Sequence, residues 1–212
     1  GALLYSWEVA TAVAGHLMAV NPFDQPDVEA AKQFTRQVIA QMQEAAPAEE
    51  PAVRDKDIAV YGKTNAAGAS EALTSFLASA KPGDYIALQA YLPQSASLDM
   101  LLADWRLLLR DGYRMATTVG YGPRFLHSTG QLHKGDDGRG YFIQLTADNL
   151  LDVAIPDEMT GEQSVLTFGA LQIAQARGDA QALESRGRRV IRFHFAGDIQ
   201  QGIAKLIQSL KR

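Results

Sequence analysis

Apolar and polar positions along the chain follow two periods, and the changes between them set the expected elements. Leu3, Leu4, Trp7, Ala10, Ala14, Leu17 and Met18 recur near a 3.6-residue period, which predicts an amphipathic helix over 3–20. A second helix is expected over 26–44. Pro26 suits the first helical position, where its missing N–H costs nothing, and Asp27 and Glu29 lie in the first turn, where the helix dipole favours negative charge. Asp24 or Gln25 is the expected cap. Residues 45–56 carry two prolines and mixed charge, which reads as a linker and a boundary between a segment 1–46 and a domain 57–212.

Beyond that boundary short apolar runs alternate with helical patterns. Strands are expected over 57–61, 85–92, 113–119, 141–145 and 189–195. Helices are expected over 70–79, 97–110, 167–176 and 198–210, with 180–186 either a further helix or a continuation. Asp111 and Gly112 are expected to end the helix that begins at Ser97. Such alternation predicts an α/β fold with a five-stranded, mostly parallel, doubly wound sheet, preceded by two helices.

Composition narrows the classes of function. Apolar residues make up 47% and charged residues 21%, ordinary for a globular protein, and the net charge of −4 gives no general attraction to nucleic acid or to an anionic membrane. The chain has no cysteine, so disulfides, thiolate metal sites and a cysteine nucleophile are excluded. No apolar run reaches membrane-spanning length, and the start of the chain has no charged region of the kind that opens a signal peptide. A cytoplasmic location is expected. The chain opens straight into a Leu- and Trp-rich helix that needs something to pack on, which predicts a piece of a longer protein or a homo-oligomer.

The stretch Asn21 to Lys32 is the most informative. Gln25 and Lys32 are seven residues apart, about two helical turns, so an amide and an ammonium can point the same way and hold an anionic sugar between them. A solvated lysine and a capping glutamine are the plainer alternative. The full string, with Asn21, Pro22, Phe23, Asp24, Gln25, Pro26, Val28, Glu29 and Lys32, resembles the segment near the C-terminus of phosphoglucose isomerase. Trp7, Glu8, Ala10, Thr11, Ala12 and Gly15 extend the likeness upstream. The strings Tyr121 to Lys134 and Phe168 to Leu183 are similar to the extra region of the bifunctional transaldolase/phosphoglucose isomerase fusions.

The resemblance implies a fold of the sugar-isomerase (SIS) type and the interconversion of glucose 6-phosphate and fructose 6-phosphate through an enediol. It implies Lys32 as the catalytic residue, acting at the ring oxygen and on developing charge, and Gln25 as a contact to phosphate or sugar. No cofactor and no metal is implied. The family's base Glu and ring-opening His fall outside this chain, so the chain alone is expected to be inactive. The upstream isomerase and transaldolase domains are its expected partners.

A second candidate site is the stretch from Gly120 to Gly135, which follows an expected strand as ligand loops do in open α/β sheets. Arg124 can clamp a phosphate through two parallel hydrogen bonds, and Ser128, Thr129 and Gly130 can present hydroxyl and backbone donors. His127 and Gln131 complete this set of substrate-binding candidates, against the alternative that Ser128 caps a short helix and Arg124 anchors the loop. The spacing of His127 and His133 does not suit one helix face, so metal is not expected. His16 and His194 read as structural, with a contact to the Gln25/Lys32 site the alternative for His16, and the arginines at 186, 188 and 189 read as a solvated turn or a second phosphate contact. Two other functions remain open: a non-catalytic SIS-like module that senses a phosphosugar or packs against the isomerase, and, more weakly, a nucleotide binder, against which the missing G-x-x-x-x-G-K-[ST] and strand-linked G-x-G-x-x-G strings argue.

Overall fold

A computed structural model describes residues 1–24, 26–44, 49–127, 129–157 and 164–211. Two helices lead, α1 (Ala2–Leu17) and α2 (Pro26–Gln43), with Pro26 at the first helical position. There follow β1 (Val53–Asp55), β2 (Ile58–Tyr61), α3 (Ala69–Ala78), β3 (Tyr85–Tyr91), α4 (Ala96–Tyr113) and β4 (Ala116–Tyr121). A short 3-10 turn over 124–127 leads into α5 (Thr129–Gly135), then β5 (Gly140–Ala147) and a small hairpin, β6 (Ala154–Ile155) with β7 (Leu166–Thr167). Helix α6 (Phe168–Ser185), β8 (Arg189–Phe195) and α7 (Ile199–Ser209) complete the order. Among the described residues no helix is long and apolar enough to cross a membrane.

The main sheet has six strands in the order β1-β2-β8-β5-β3-β4, so the fold is α/β with a mostly parallel sheet. Strands β8, β5, β3 and β4 are parallel. The expected count of five is short by one, because β1 lies inside the stretch that reads as a linker. It is only three residues long, and it is held by antiparallel pairing of Val53, Arg54 and Asp55 with Val60, Ala59 and Ile58. Strand β2 is itself antiparallel to β8. The chain runs outward from β3 to β4 and then returns past β3 to β5, which places a reversal of strand order between β3 and β5.

Strand alternation divides the side chains between two faces. On one face Ile86, Leu88 and Ala90 of β3, Tyr141, Ile143 and Leu145 of β5, and Ile191, Phe193 and Phe195 of β8 join Leu73, Leu77, Leu102, Trp105, Leu109, Ile203 and Leu206 from α3, α4 and α7 in one continuous apolar core. The other face carries Ala87, Gln89, Tyr91, Phe142, Gln144, Thr146, Val190, Arg192 and His194, and only small apolar clusters form there.

Helix α6 covers this second face and is buried nearly all round, through Ala174, Ala176, Gly178, Asp179, Ala180, Ala182 and Leu183. Its outer side takes α2, whose Ala31 and Val38 are buried. A side chain at Gly178 would meet the backbone nitrogen of Thr35 at 2.7 Å, so glycine is what lets the two helices approach. Helix α2 is therefore a third layer of the domain rather than an appendage ahead of it. One further contact secures it: Arg186 Nη2 lies 2.7 Å from the buried Asp27 carboxylate.

Two local expectations need correction, and one open alternative is decided. Residues 168–185 form one helix, so 180–186 is the continuation. Helix α4 runs through Gly112 to Tyr113, and Arg114 supplies the left-handed residue after it, with φ 54°. Of the three arginines after α6, Arg186 and Arg189 are exposed, as a solvated turn requires, but Arg188 is not. Arg188 donates to the backbone carbonyls of Lys134 (2.7 Å) and Asp136, its Nε lies 2.9 Å from the Asp136 carboxylate, and Arg189 lies over the Tyr141 ring.

Helix α1 is the exception to this packing. Leu3, Leu4, Tyr5, Trp7, Leu17 and Met18 are all exposed, and Gly15, against Pro22, is its one buried residue.

Candidate functional site

Lys32 stands on the second turn of α2, and its Nζ lies 3.6 Å from Glu29, one turn earlier. Arg36 reaches the same carboxylate at 3.2 Å. Both cations are more than half exposed, so Glu29 steers them without burying them. They stand at the rim of a cavity of about 290 Å³ between α2, the segment after β4, and α6. The opposite wall is Pro123, Leu126, His127 and Gly130, and Lys134, Thr35 and Gln175 supply polar groups deeper in. Lys32 and His127, which lie far apart in sequence, thus open on one space. No Asp or Glu is among the described residues that line it.

The other expected site residues are placed differently. Gln25 and Ser128 lie outside the described residues. Arg124 is exposed and donates to Gln94 Oε1 at 3.4 Å, on the side of the loop toward α4. Thr129 is exposed, and its hydroxyl donates to the Phe125 carbonyl at 3.1 Å, which uses it inside the turn. Gln131 is half-buried, and its Oε1 has no hydrogen-bond partner among the described residues. None of these three is part of the cavity wall. His16 is exposed in the last turn of α1.

Beneath the cavity lies a buried polar layer that sequence reading missed. Lys134 Nζ donates to Asp179 Oδ1 at 2.5 Å and to the Gly130 carbonyl at 3.4 Å, with both side chains of the ion pair almost wholly inaccessible. Gln144 Nε2 donates to the other Asp179 oxygen at 3.3 Å. Burial pushes the Asp179 carboxyl up, and the Lys134 ammonium and the Gln144 amide oppose that by favouring the ionised form. The Tyr91 hydroxyl is near the same carboxylate without an aligned hydrogen bond, and burial together with the Asp179 charge drives its proton loss well above the usual range.

His133 sits in an aromatic surround of Tyr85, Phe125 and Phe142. Its Nδ1 faces Gln89 Nε2 at 3.2 Å, so with the amide donating, Nδ1 accepts and the ring proton is on Nε2. Burial, with a smaller push from Lys134, lowers its pKa to about 4, so it is neutral at pH 7. Gln89 and Gln144 are cross-strand partners, and Gln144 pairs in turn with Arg192. A polar row therefore crosses the sheet within an otherwise apolar interior. The signal in the sequence is a lone glutamine in each of two apolar strands.

No family model matches this chain, and no curated protein matches it. Among solved structures, the crystal structure of a hypothetical protein from Thermus thermophilus is similar, with a TM-score of 0.55 and 17% sequence identity. The likeness covers 85% of this chain and 42% of that one, so this chain spans less than half the length of that protein. At such identity the likeness speaks for the fold alone, an α/β architecture with a mostly parallel sheet.

In chemical terms the cavity offers two ammonium groups of different character. Lys32 is solvated, with Glu29 beside it, whereas Lys134 is buried and held by Asp179. His127 adds an exposed imidazole on the facing wall. Such a set can bind and orient an anionic polyol and stabilise developing negative charge. With no carboxylate among the described residues of the wall, it does not by itself supply a base for proton abstraction from carbon.

Proposed function

We propose that this chain is part of a phosphosugar isomerase that interconverts glucose 6-phosphate and fructose 6-phosphate, within a transaldolase/phosphoglucose isomerase fusion. In this reading the α/β unit is of the SIS, flavodoxin-like, doubly wound type. The single observation that carries the site is the shared cavity of Lys32 and His127, because the residue that the isomerase resemblance picks out opens toward the loop that the fusion resemblance picks out. Lys32 follows the sugar ring oxygen and the enediolate charge. His127 contacts the sugar across the cavity. The base that moves the proton between C1 and C2 comes from another segment of the protein, in keeping with a wall whose described residues include no carboxylate.

That same feature favours a second reading, a phosphosugar-binding or interdomain packing module without chemistry of its own. Two experiments separate them. Titrating the chain with fructose 6-phosphate while following the His127 ring resonances tests the site. A saturable shift that Lys32→Met weakens by about tenfold, as expected for loss of one charge-assisted hydrogen bond, supports it, and no shift in the wild-type chain would sink the phosphosugar site and leave only interdomain packing. Adding the upstream isomerase segment and assaying turnover tests catalysis: activity that Lys32→Met abolishes favours the isomerase, and activity indifferent to Lys32 leaves only the module. The 212-residue chain alone is expected to show no turnover.

A further inference from the structure

On the opposite side of α6 from the cavity of Lys32, two arginines converge on a single carboxylate oxygen. Arg192 projects from the middle of β8, is nearly inaccessible, and donates from Nη2 to Glu49 Oε2 at 2.6 Å. Arg177, from α6, places its Nε 3.2 Å from the same oxygen. That Nε is buried, and among the described residues no acceptor stands in line with its hydrogen. The Arg192 guanidinium is fixed from behind by the Tyr61 ring, with Cζ 4.2 Å from the ring centroid. Glu49 itself is 40% exposed, so its side chain can turn out to water without disturbing the interior.

We propose that Arg177 and Arg192 form a binding site for the phosphate group of a small phosphorylated metabolite, which takes the place of the Glu49 carboxylate. The geometry of the present occupant argues for a tetrahedral oxyanion. One carboxylate oxygen serves both guanidinium groups, and it aligns well with only one of them. A phosphate has three terminal oxygens and can align with each arginine separately, the arrangement for which the planar guanidinium fork is suited. The position fits as well. A cavity of about 210 Å³ adjoins the arginine pair and runs toward the carboxyl ends of β5 and β8, where ligands collect in open α/β sheets.

The rest of that cavity offers groups for hydroxyls rather than for charge. Thr146 Oγ1 lies 3.0 Å from His194 Nδ1, and His194 Nε2 lies 3.0 Å from Asp148 Oδ1. In this chain of contacts the hydroxyl is buried and the carboxylate is 65% exposed, the reverse of what an activated nucleophile requires. It is better suited to accepting and donating hydrogen bonds along the polyol of a bound sugar phosphate. Besides Glu49, two carboxylates among the described residues face the region. Asp148 is engaged by His194, and Glu184 lies beyond Arg192, where burial first and the Glu49 charge second push its carboxyl up.

The test uses the full chain with Glu49→Gln and inorganic phosphate as the probe. Isothermal titration should show phosphate binding about tenfold tighter than in the wild type, the gain expected when a competing charged partner worth ~1.4 kcal/mol is removed. Adding Arg177→Gln should abolish that gain. Arg177 is chosen over Arg192 because it is the less buried of the two and lies outside the sheet. Adding Lys32→Met instead should leave the gain intact, which separates this site from the cavity across α6. Acetate should gain less than phosphate. Glu49→Gln with unchanged phosphate affinity, a gain that survives Arg177→Gln, a gain lost with Lys32→Met, or an equal gain for acetate would each overturn the proposal.

Discussion

The two faces of the central sheet are built from the same strands, residue by residue in alternation, yet they differ in kind. Under α3, α4 and α7 the alternate positions of β3, β5 and β8 are Ile, Leu, Tyr, Phe and Ala without interruption. Under α5 and α6 the intervening positions include Gln89, Gln144, Thr146, Arg192 and His194, all inside a folded protein. A buried polar group is costly unless partnered, so a face that keeps a whole row of them gives up stability that the other face keeps. Both candidate binding regions lie on the polar side. The apolar face holds the largest core, and the polar face carries the buried ionisable and hydrogen-bonding groups.

The largest effect that would break this division comes from Asp179. Asp179→Ala leaves Lys134 buried without its counter-charge, and the expected loss is about 3–5 kcal/mol in urea unfolding. Replacing both partners, Lys134→Met with Asp179→Leu, should recover most of that loss, since a well-packed apolar pair avoids the desolvation of two ions. The division predicts that this double variant folds well but responds less to fructose 6-phosphate. A double variant as unstable as the single would mean that the ion pair organises the fold instead.

Next in size is a dependence on pH confined to the polar face. In the unfolded chain His133 takes up its proton near the ordinary histidine value, whereas in the folded protein burial delays protonation to about pH 4. As pH falls below roughly 6.5 the unfolded state therefore binds a proton that the folded state refuses, and stability drops until about pH 4. The full displacement amounts to about 3 kcal/mol at most. His133→Gln, which keeps a partner for Gln89, should flatten the unfolding free energy between those limits relative to wild type. Curves that stay parallel through this interval would show that His133 is not the group responsible.

Much of the apolar face is legible in the sequence, and the polar face is not, for a physical reason. Helices such as α4 and α7 declare themselves by local periodicity, and Leu98, Leu102, Trp105 and Leu109 fall on one buried side whatever their partner. Gln89 and Gln144 are visible as glutamines in apolar strands, but that they stand opposite each other follows from sheet order, which no local pattern encodes. Arg188 and Asp136 read locally as a solvated arginine and a turn residue. They meet only because α6 returns the chain beside the start of β5. Strand β1 is hidden by its length, since three residues close to prolines carry almost no strand signal until β2 pairs with them. The gathering of Lys32 and His127 stays an open alternative in the sequence, because α2 reaches the loop after β4 only by packing on the small residues of α6.

The smallest expected effect on stability is also the sharpest probe of what the polar side is for. Lys32 is 56% exposed, and its contact to Glu29 is a loose surface pair on one helix. Such pairs contribute little, so Lys32→Met should change the unfolding free energy by less than about 0.5 kcal/mol. If the cavity between α2 and α5 is a phosphosugar site, the same substitution should nonetheless weaken binding of fructose 6-phosphate markedly. A residue that matters to the ligand and not to the fold is what the contrast between the two faces requires at this position. A large loss of stability with Lys32→Met would instead make Lys32 part of the packing of α2 on α6, and the case for an anion-binding cavity would lose its main argument.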